Sequence, residues 1–404
     1  MAIIKPFKAV RPKSELAAQI CELPYDVLST EEARTLAANN PYSFLRVSKP
    51  EIEFPQTTNP YLPEVYARAR ENFLKMLVKG WLIQDEKPCF YIYRLIWKNH
   101  IQIGIAALAS CEDYLNNVIK KHELTHPDKE EDRMRHIETL NAQTGLVFLY
   151  YKAIYSIDEF ISNKIQSSPV IDFVSPDGIR HSSWTIDNEA DIKFLQSEFS
   201  KISSIYIADG HHRAAAAVRV YKKRQLTENQ SGIISVLFAD HQVKILPYNR
   251  VILDLNGNTK AILLKRFSEV CTVEPSENSI PDKKGVVCFY IDRQWYRLEF
   301  KDEILNLNDP VDQLDVSLLQ AFILKPIFGI NDPRTDKRVQ YVGGIRGTEE
   351  LERLVNENRA KCAFSMHPTT ISELMAVSDS SKIMPPKSTW FEPKLRDAMF
   401  IYLL

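Results

Sequence analysis

Residues 202–221, ISSIYIADGHHRAAAAVRVY, constrain this chain more than any other stretch. An apolar run from Ile202 to Ala208 breaks at Asp209-Gly210, and an alanine-rich segment follows that begins with two histidines and an arginine. Length and the flanking glycine predict a strand, a tight turn and a helix. Backbone N–H groups at a helix start lack intrahelical partners, and Asp209 is placed to cap them. His211, His212 and Arg213 all fall in the first turn, where the macrodipole disfavours cations. An anion held by the N–H groups and Arg213 together would account for all three. The plain alternative is an ordinary Asp-Gly turn with partly buried histidines, yet a cluster of buried polar groups is costly unless satisfied. A carboxylate next to a phosphate repels it unless it binds a metal, carries a proton or takes one from an attacking hydroxyl. Phosphoryl chemistry is the reading that uses Asp209.

The 404 residues admit two or three domains. With 51 basic and 52 acidic residues, no global field favours nucleic acid or an anionic membrane. No run of 18 apolar residues occurs, and the start MAIIKPFKAVRPK lacks an apolar core of signal-peptide length. The six cysteines, Cys21, Cys89, Cys111, Cys271, Cys288 and Cys362, show no C-x-x-C pair. They read as reduced core residues of a cytoplasmic protein without a structural zinc site.

Taken in order, the patterns predict an α+β protein with mixed sheets and packed helices. Strands are expected over residues 3–10, 44–47, 89–97, 102–110 and 145–154, and helices over 63–80, 129–138 and 189–199. One domain is expected over 1–257 with the DGHHR box. A smaller α+β unit over 258–404 contains a hairpin around Asp292-Arg293 and an apolar helix over 315–325 stopped by Pro326. Its tail, 384–404, is rich in proline but carries Trp390 and Phe391, so it reads as an ordered segment packing back on the body.

Several other residues are candidates for a site. Tyr25 and Asp26 sit in a loop after Pro24, where they can touch a substrate or serve turn chemistry alone. His122, Glu123, Thr125 and His126 put four hydrogen-bonding side chains within five residues. Glu123 there is a candidate base or metal ligand facing the Asp209 turn, with His122 beside it. His122-Glu123-Leu124-Thr125-His126 also matches H-E-x-x-H, which requires both histidines on one face of a continuous helix. Pro127 biases His126 away from that geometry. Arg250 offers a second cation for an anionic ligand, or a surface salt bridge. Lys387 and Ser388 in the tail can help close the site.

PYDV at 24–27, NPYSFLRV at 40–47, KKHELT at 120–125, ADGHHRAAA at 208–216, LPYNRVI at 246–252 and MPPKSTWFEPKL at 384–395 identify a resemblance over nearly the whole chain. The family is a widespread prokaryotic one, catalogued as domain of unknown function 1015, and it implies no established activity. Gly210-x-x-Arg213-x-x-Ala216 resembles the phosphate-binding motif of the ParB/sulfiredoxin superfamily, which implies a core of that kind around the box. Asp209-Gly210-x-His212-Arg213 resembles the box of the free-serine kinases within it. That resemblance implies Asp209 as the base and Gly210, His211, His212 and Arg213 as a phosphate cradle. It also implies an upstream glutamate, for which Glu123 is the candidate, although Glu123 lies much further from the box than the pattern places it.

The leading expectation is a cytoplasmic nucleotide-dependent phosphotransferase acting on a small hydroxyl metabolite such as free serine, with ATP or ADP and Mg²⁺. A second is a non-catalytic nucleotide-binding regulatory module or a DNA-associated one, although the near-neutral charge and the lack of a helix-turn-helix argue against nucleic acid. A third is a metal-dependent hydrolase built on His122, Glu123 and His126 or on His211-His212. Adjacent histidines on one turn point roughly 100° apart and seldom share an ion. The expected partner is a phosphate-bearing small molecule, not a membrane. The identity of any metal and the oligomeric state are not legible in the sequence.

Overall fold

The computed structural model describes residues 1–228 and 231–404. It is an α+β structure of several sheets with packed helices. The chain divides into two compact units, one of Met1–Val243 with Pro393–Leu404 and one of Lys244–Glu392. This division falls elsewhere than the expected boundary after residue 257. Strand Tyr248–Ile252 pairs with Val339–Gly343 and Cys362–Met366, which places residues 244–257 in the second unit. Strand Ile401–Leu403 pairs with Ala9–Pro12 and with Ala142–Gln143, which returns the chain's end to the first. Local patterns carry no signal for pairings so distant in sequence.

Among the described residues the first unit is built on a nine-stranded mixed sheet. Its order begins Ile119–Lys120, Ile205–Asp209, Val147–Tyr151, Ile233–Ala239, His100–Ala109 and Phe90–Trp97. Val147–Tyr151 and Ile233–Ala239 are buried at every residue, the pattern of strands covered on both faces. Helix His211–Lys223 lays Ala214, Ala217 and Val218 into the same core as Leu149, Ile207 and Leu237. Alanine at these positions lets the helix approach closely. Helix Pro127–Leu140 packs beside it, with Met134 and Ile137 meeting Ala216 and Val220. The second unit holds a six-stranded antiparallel sheet and a two-stranded pair, Lys244–Leu246 with Trp390–Glu392.

Many expected elements are present. Helix Glu189–Phe199 has the expected limits, with Asn188 capping it. Helix Pro63–Val78 ends before Gly80 at φ +64, and the 286–300 hairpin turns on Asp292 and Arg293, both at positive φ. Two expectations fail. Residues 44–47 are not extended: Leu45–Ser48 is a short helix, since a stretch of four residues is too short to separate the two periods. Pro326 does not stop its helix. A π-helical stretch at Gln320–Leu324 precedes Lys325–Phe328, whose first turn accepts the proline because no N–H is needed there. All six cysteines are buried with free thiols. No helix among the described residues is long and apolar enough to cross a membrane.

Candidate functional site

The box folds as strand, turn and helix. Strand Ile205–Asp209 runs antiparallel to Val147–Tyr151, and its register slips between Ile207 and Asp209. A bulge at the end of a strand re-aims the residue that follows, here Asp209. Gly210 then adopts φ +96, and a Cβ at that position would meet Arg213 Cζ at 3.1 Å. Glycine is therefore required twice, by the backbone angle and by the guanidinium folded back over it. The helix cap is Gly210 and not Asp209, and no side chain caps the helix. Asp209 is drawn elsewhere: its Oδ2 lies 3.1 Å from Arg213 Nη2 and 3.6 Å from Lys394 Nζ.

The supposed cluster of three cations resolves into one. Burial first, and then the neighbouring His122, hold the His211 imidazole well below its ordinary pKa, so it is neutral. His212 is also lowered, chiefly by burial and then by His126. Each imidazole ties down the 121–126 loop. The backbone N–H of His122 donates to His211 Nε2 at 3.5 Å, and that of His126 donates to His212 Nε2 at 3.1 Å. An accepting Nε2 leaves the proton on Nδ1, and His211 Nδ1 faces Glu123 Oε2 at 3.7 Å. Glu123 thus reaches the turn, through His211. The rings of His122 and His211 meet edge to face at 4.4 Å, and burial drives the His122 pKa down to about 4. With His211 Nδ1–H turned to Glu123, what the pair can offer an anion is two backbone N–H groups and the Nδ1–H of His212.

Arg213 is the remaining cation, and its charge is matched. Its Nη1 donates to the Leu146 carbonyl, and Nη2 lies 3.1 Å from Asp209 and 3.6 Å from Asp26. Burial opposes its charge, but Asp26 and Asp209 outweigh that and hold its pKa above the usual range. In the same way burial opposes ionisation of Asp209, while Lys394 and then Arg213 hold it well below the usual carboxylate range. Asp397, 2% exposed, goes the other way: burial raises its pKa to about 7 against the pull of Arg213. Tyr25 lies under Arg133, whose guanidinium sits 3.9 Å from the ring centroid.

The first unit therefore brings together Asp209, Gly210, His211, His212, Arg213, His122, Glu123, Tyr25 and Asp26. Arg250 and Lys387 belong to the second unit. There Arg250 donates to the Tyr248 carbonyl and, at 3.2 Å, to the Lys387 carbonyl, and it stacks 5.4 Å from the Tyr341 ring. Lys394, Asp397 and Arg133 were not singled out from sequence as site residues. Lys394 does lie inside MPPKSTWFEPKL, which offered the one available signal.

The H-E-x-x-H reading is corrected. Residues 121–126 form a loop, and His126 stands outside helix Pro127–Leu140 as its cap at φ −90 and ψ 127. His122 and His126 therefore do not share the helical face that zinc chemistry requires. No cluster of three or more His, Cys, Asp or Glu side chains among the described residues is placed to hold a metal ion. Mg²⁺ needs less, one or two carboxylates completed by substrate phosphates and water. Asp209 can supply one carboxylate of such a set.

The chain belongs to the family described as protein of unknown function (DUF1015), whose model matches residues 4–317. No curated protein matches it in sequence. Among solved structures, it is similar to a mutant free serine kinase in complex with AMP, at 11% identity over 71% of this chain and 87% of that one, with a TM-score of 0.36. It is also similar to a conserved hypothetical protein from Pyrococcus furiosus, at 14% identity over 72% and 93%, TM-score 0.35. A third is SbnI with a C-terminal truncation from Staphylococcus aureus, at 10% identity over 72% and 85%, TM-score 0.38. Likenesses at that level establish neither a ParB-like core nor an activity for this chain.

Proposed function

We propose that the first unit is a nucleotide-dependent phosphotransferase acting on a small hydroxyl compound. The observation that carries this reading is the uncapped start of helix His211–Lys223, opened by a left-handed glycine and preceded by an ionised aspartate. Backbone N–H groups at such an end favour a phosphate. The cradle is then the main chain of 210–213. Arg213 is a positioning residue, since its charge already serves Asp209 and Asp26.

Asp209 would accept the proton of the acceptor hydroxyl while that oxygen bonds to the γ-phosphorus and the bond to the bridging β-phosphate oxygen breaks, leaving a nucleoside diphosphate. A carboxylate of low pKa is a weak base, so proton transfer comes late, after the loose transition state has formed. Bound Mg²⁺ would be held mainly by the phosphates and water and would supply charge neutralisation, leaving Asp209 Oδ1 for the proton. Lys394, 3.6 Å from Asp209, adds a fixed positive charge beside it. Arg250 and Lys387 are left out of this set because the Arg250 guanidinium is already engaged by carbonyls of its own unit.

The test is a thermal-shift screen with ATP, ADP, CTP and GTP with Mg²⁺, followed by a transfer assay against hydroxyl metabolites. A ligand that binds only the folded state raises its midpoint. Asp209→Asn is expected to lower transfer by about 10²-fold or more and keep the shift. Transfer undiminished in Asp209→Asn would remove the base assignment, and no shift with any nucleotide would remove the reading.

A further inference from the structure

Two cavities of the first unit share a wall. The smaller, about 30 Å³, lies beside Arg213 and Asp397, and the larger, about 200 Å³, is bordered by Tyr61 and Lys129. Tyr25, Ser48, Arg133 and His136 line both. Ser48 is 3% exposed, and its Oγ has no hydrogen-bond partner. Arg213 Nε, on the smaller cavity, is likewise buried without one. Buried polar atoms in native proteins are almost always satisfied, by protein, water or ligand. Two orphans on connected walls call for something that enters the cavities.

The rest of the wall indicates what. His136 Nε2–H donates to the Val47 carbonyl at 2.9 Å, so Nδ1 is a bare acceptor, and burial keeps the ring neutral with a pKa of about 4. Arg133 spends Nε and Nη2 on Asp132 Oδ2 at 2.9 and 2.7 Å, which leaves Nη1 for a ligand. Tyr66 donates to the other Asp132 oxygen at 2.7 Å and so fixes that carboxylate. Lys129 adds a cation at the edge. Glu51 and Asp132 also line the larger cavity, but Lys49 and Arg133 pair with them at 3.1 and 2.7 Å, so Lys129 is the excess charge there. Among the lining hydroxyls Ser48 Oγ is the buried one left unsatisfied, and the space is well below the roughly 300 Å³ at which drug-sized sites begin.

We propose that these cavities bind a small hydroxy-carboxylate, its carboxylate between Arg133 and Lys129 and a hydroxyl on Ser48 Oγ. The inference names the acceptor class for the phosphotransfer reading, on which it rests only for what happens after binding. It is tested on the full chain without nucleotide, by calorimetric titration with glycerate and serine, and with glycerol and acetate as probes lacking one group each. Glycerate or serine is expected to bind at least tenfold more tightly than either fragment. Ser48→Ala removes an unsatisfied hydroxyl, so its thermal midpoint is expected to stay level or rise, while affinity falls about fivefold to tenfold. Arg133→Lys, which keeps the charge and loses the fork, is expected to weaken binding further.

Equal binding by Ser48→Ala and wild type, or no binding by any hydroxy-carboxylate, overturns the proposal. A lowered midpoint in Ser48→Ala overturns it too, because the hydroxyl would then serve the fold. Hydroxy-carboxylate binding without transfer from any nucleotide supports this site and removes the phosphotransfer reading. Nucleotide-dependent transfer to other acceptors, with the cavities indifferent to glycerate and serine, does the reverse.

Discussion

Two buried arginines, one in each unit, divide by what surrounds their charge. Arg213 is 7% exposed and lies against the carboxylates of Asp209 and Asp26, with its pKa raised despite burial. Arg250 is 4% exposed and binds two carbonyls beside the Tyr341 ring, and burial brings its pKa down to about 10. The first guanidinium fixes an ionised carboxylate next to an uncapped helix end. The second is shaped by the backbone and ring it packs on. Burial of a cation is common to both; carboxylates that need it are what mark a site.

The comparison breaks most readily at Asp209. Asp209→Asn is expected to lower transfer by about 10²- to 10⁴-fold, the usual worth of a positioned base, read as initial rate at saturating nucleotide. Arg213→Ala strands two carboxylates and is expected to cost about 3–5 kcal/mol of stability by denaturant titration. A loss under 1 kcal/mol would mean that Asp26 and Asp209 do not depend on it.

The acid Asp397 sharpens the contrast through pH. Its folded pKa of about 7 lies above the ordinary 3.8, so the folded state keeps a proton that the unfolded chain releases. That contribution is complete below the unfolded value and is lost as pH rises through about 7. Asp397→Asn should therefore leave stability little changed below about pH 4 and raise it at pH 8 by on the order of 4 kcal/mol, because a gap of about three pKa units at about 1.4 kcal/mol each accumulates between the two values. Asp315, in the second unit, is pushed to about 7 by burial against the help of the Gly285 N–H, and predicts a similar slope. Removing both should flatten the curve between about pH 4 and 7. The smallest effect belongs to Arg250→Ala. About 1–3 kcal/mol of stability is expected to go, with nucleotide affinity unchanged. A change in affinity would return Arg250 to the site.

How much of this was readable in sequence follows the range of the interactions. The strand, turn and helix of 202–221 were legible because glycine, a β-branched run and alanines each act locally. Helix Glu189–Phe199 was legible for the same reason. Asp209 was misread as the cap because the pull of Lys394, far along the chain, is invisible to local rules. The helix expected over 129–138 is Pro127–Leu140, and its period alone did not show that Asp132 and His136 are buried or that Arg133 is turned onto Tyr25. Its charges pair with one another and with Arg219 and Lys223 of helix His211–Lys223, which no helical period reports. Asp397 and Ser48 matter through cavities that neighbouring segments enclose, and composition gives no sign of a cavity.

The central claim is that the main chain of 210–213 holds a phosphate group. Calorimetric titration of the full chain with ADP and with adenosine, both with Mg²⁺, addresses it most directly. The account expects ADP to bind at least a hundredfold more tightly than adenosine, with the difference kept in Asp209→Asn. Equal affinities, or no binding of ADP at millimolar concentration, would contradict it.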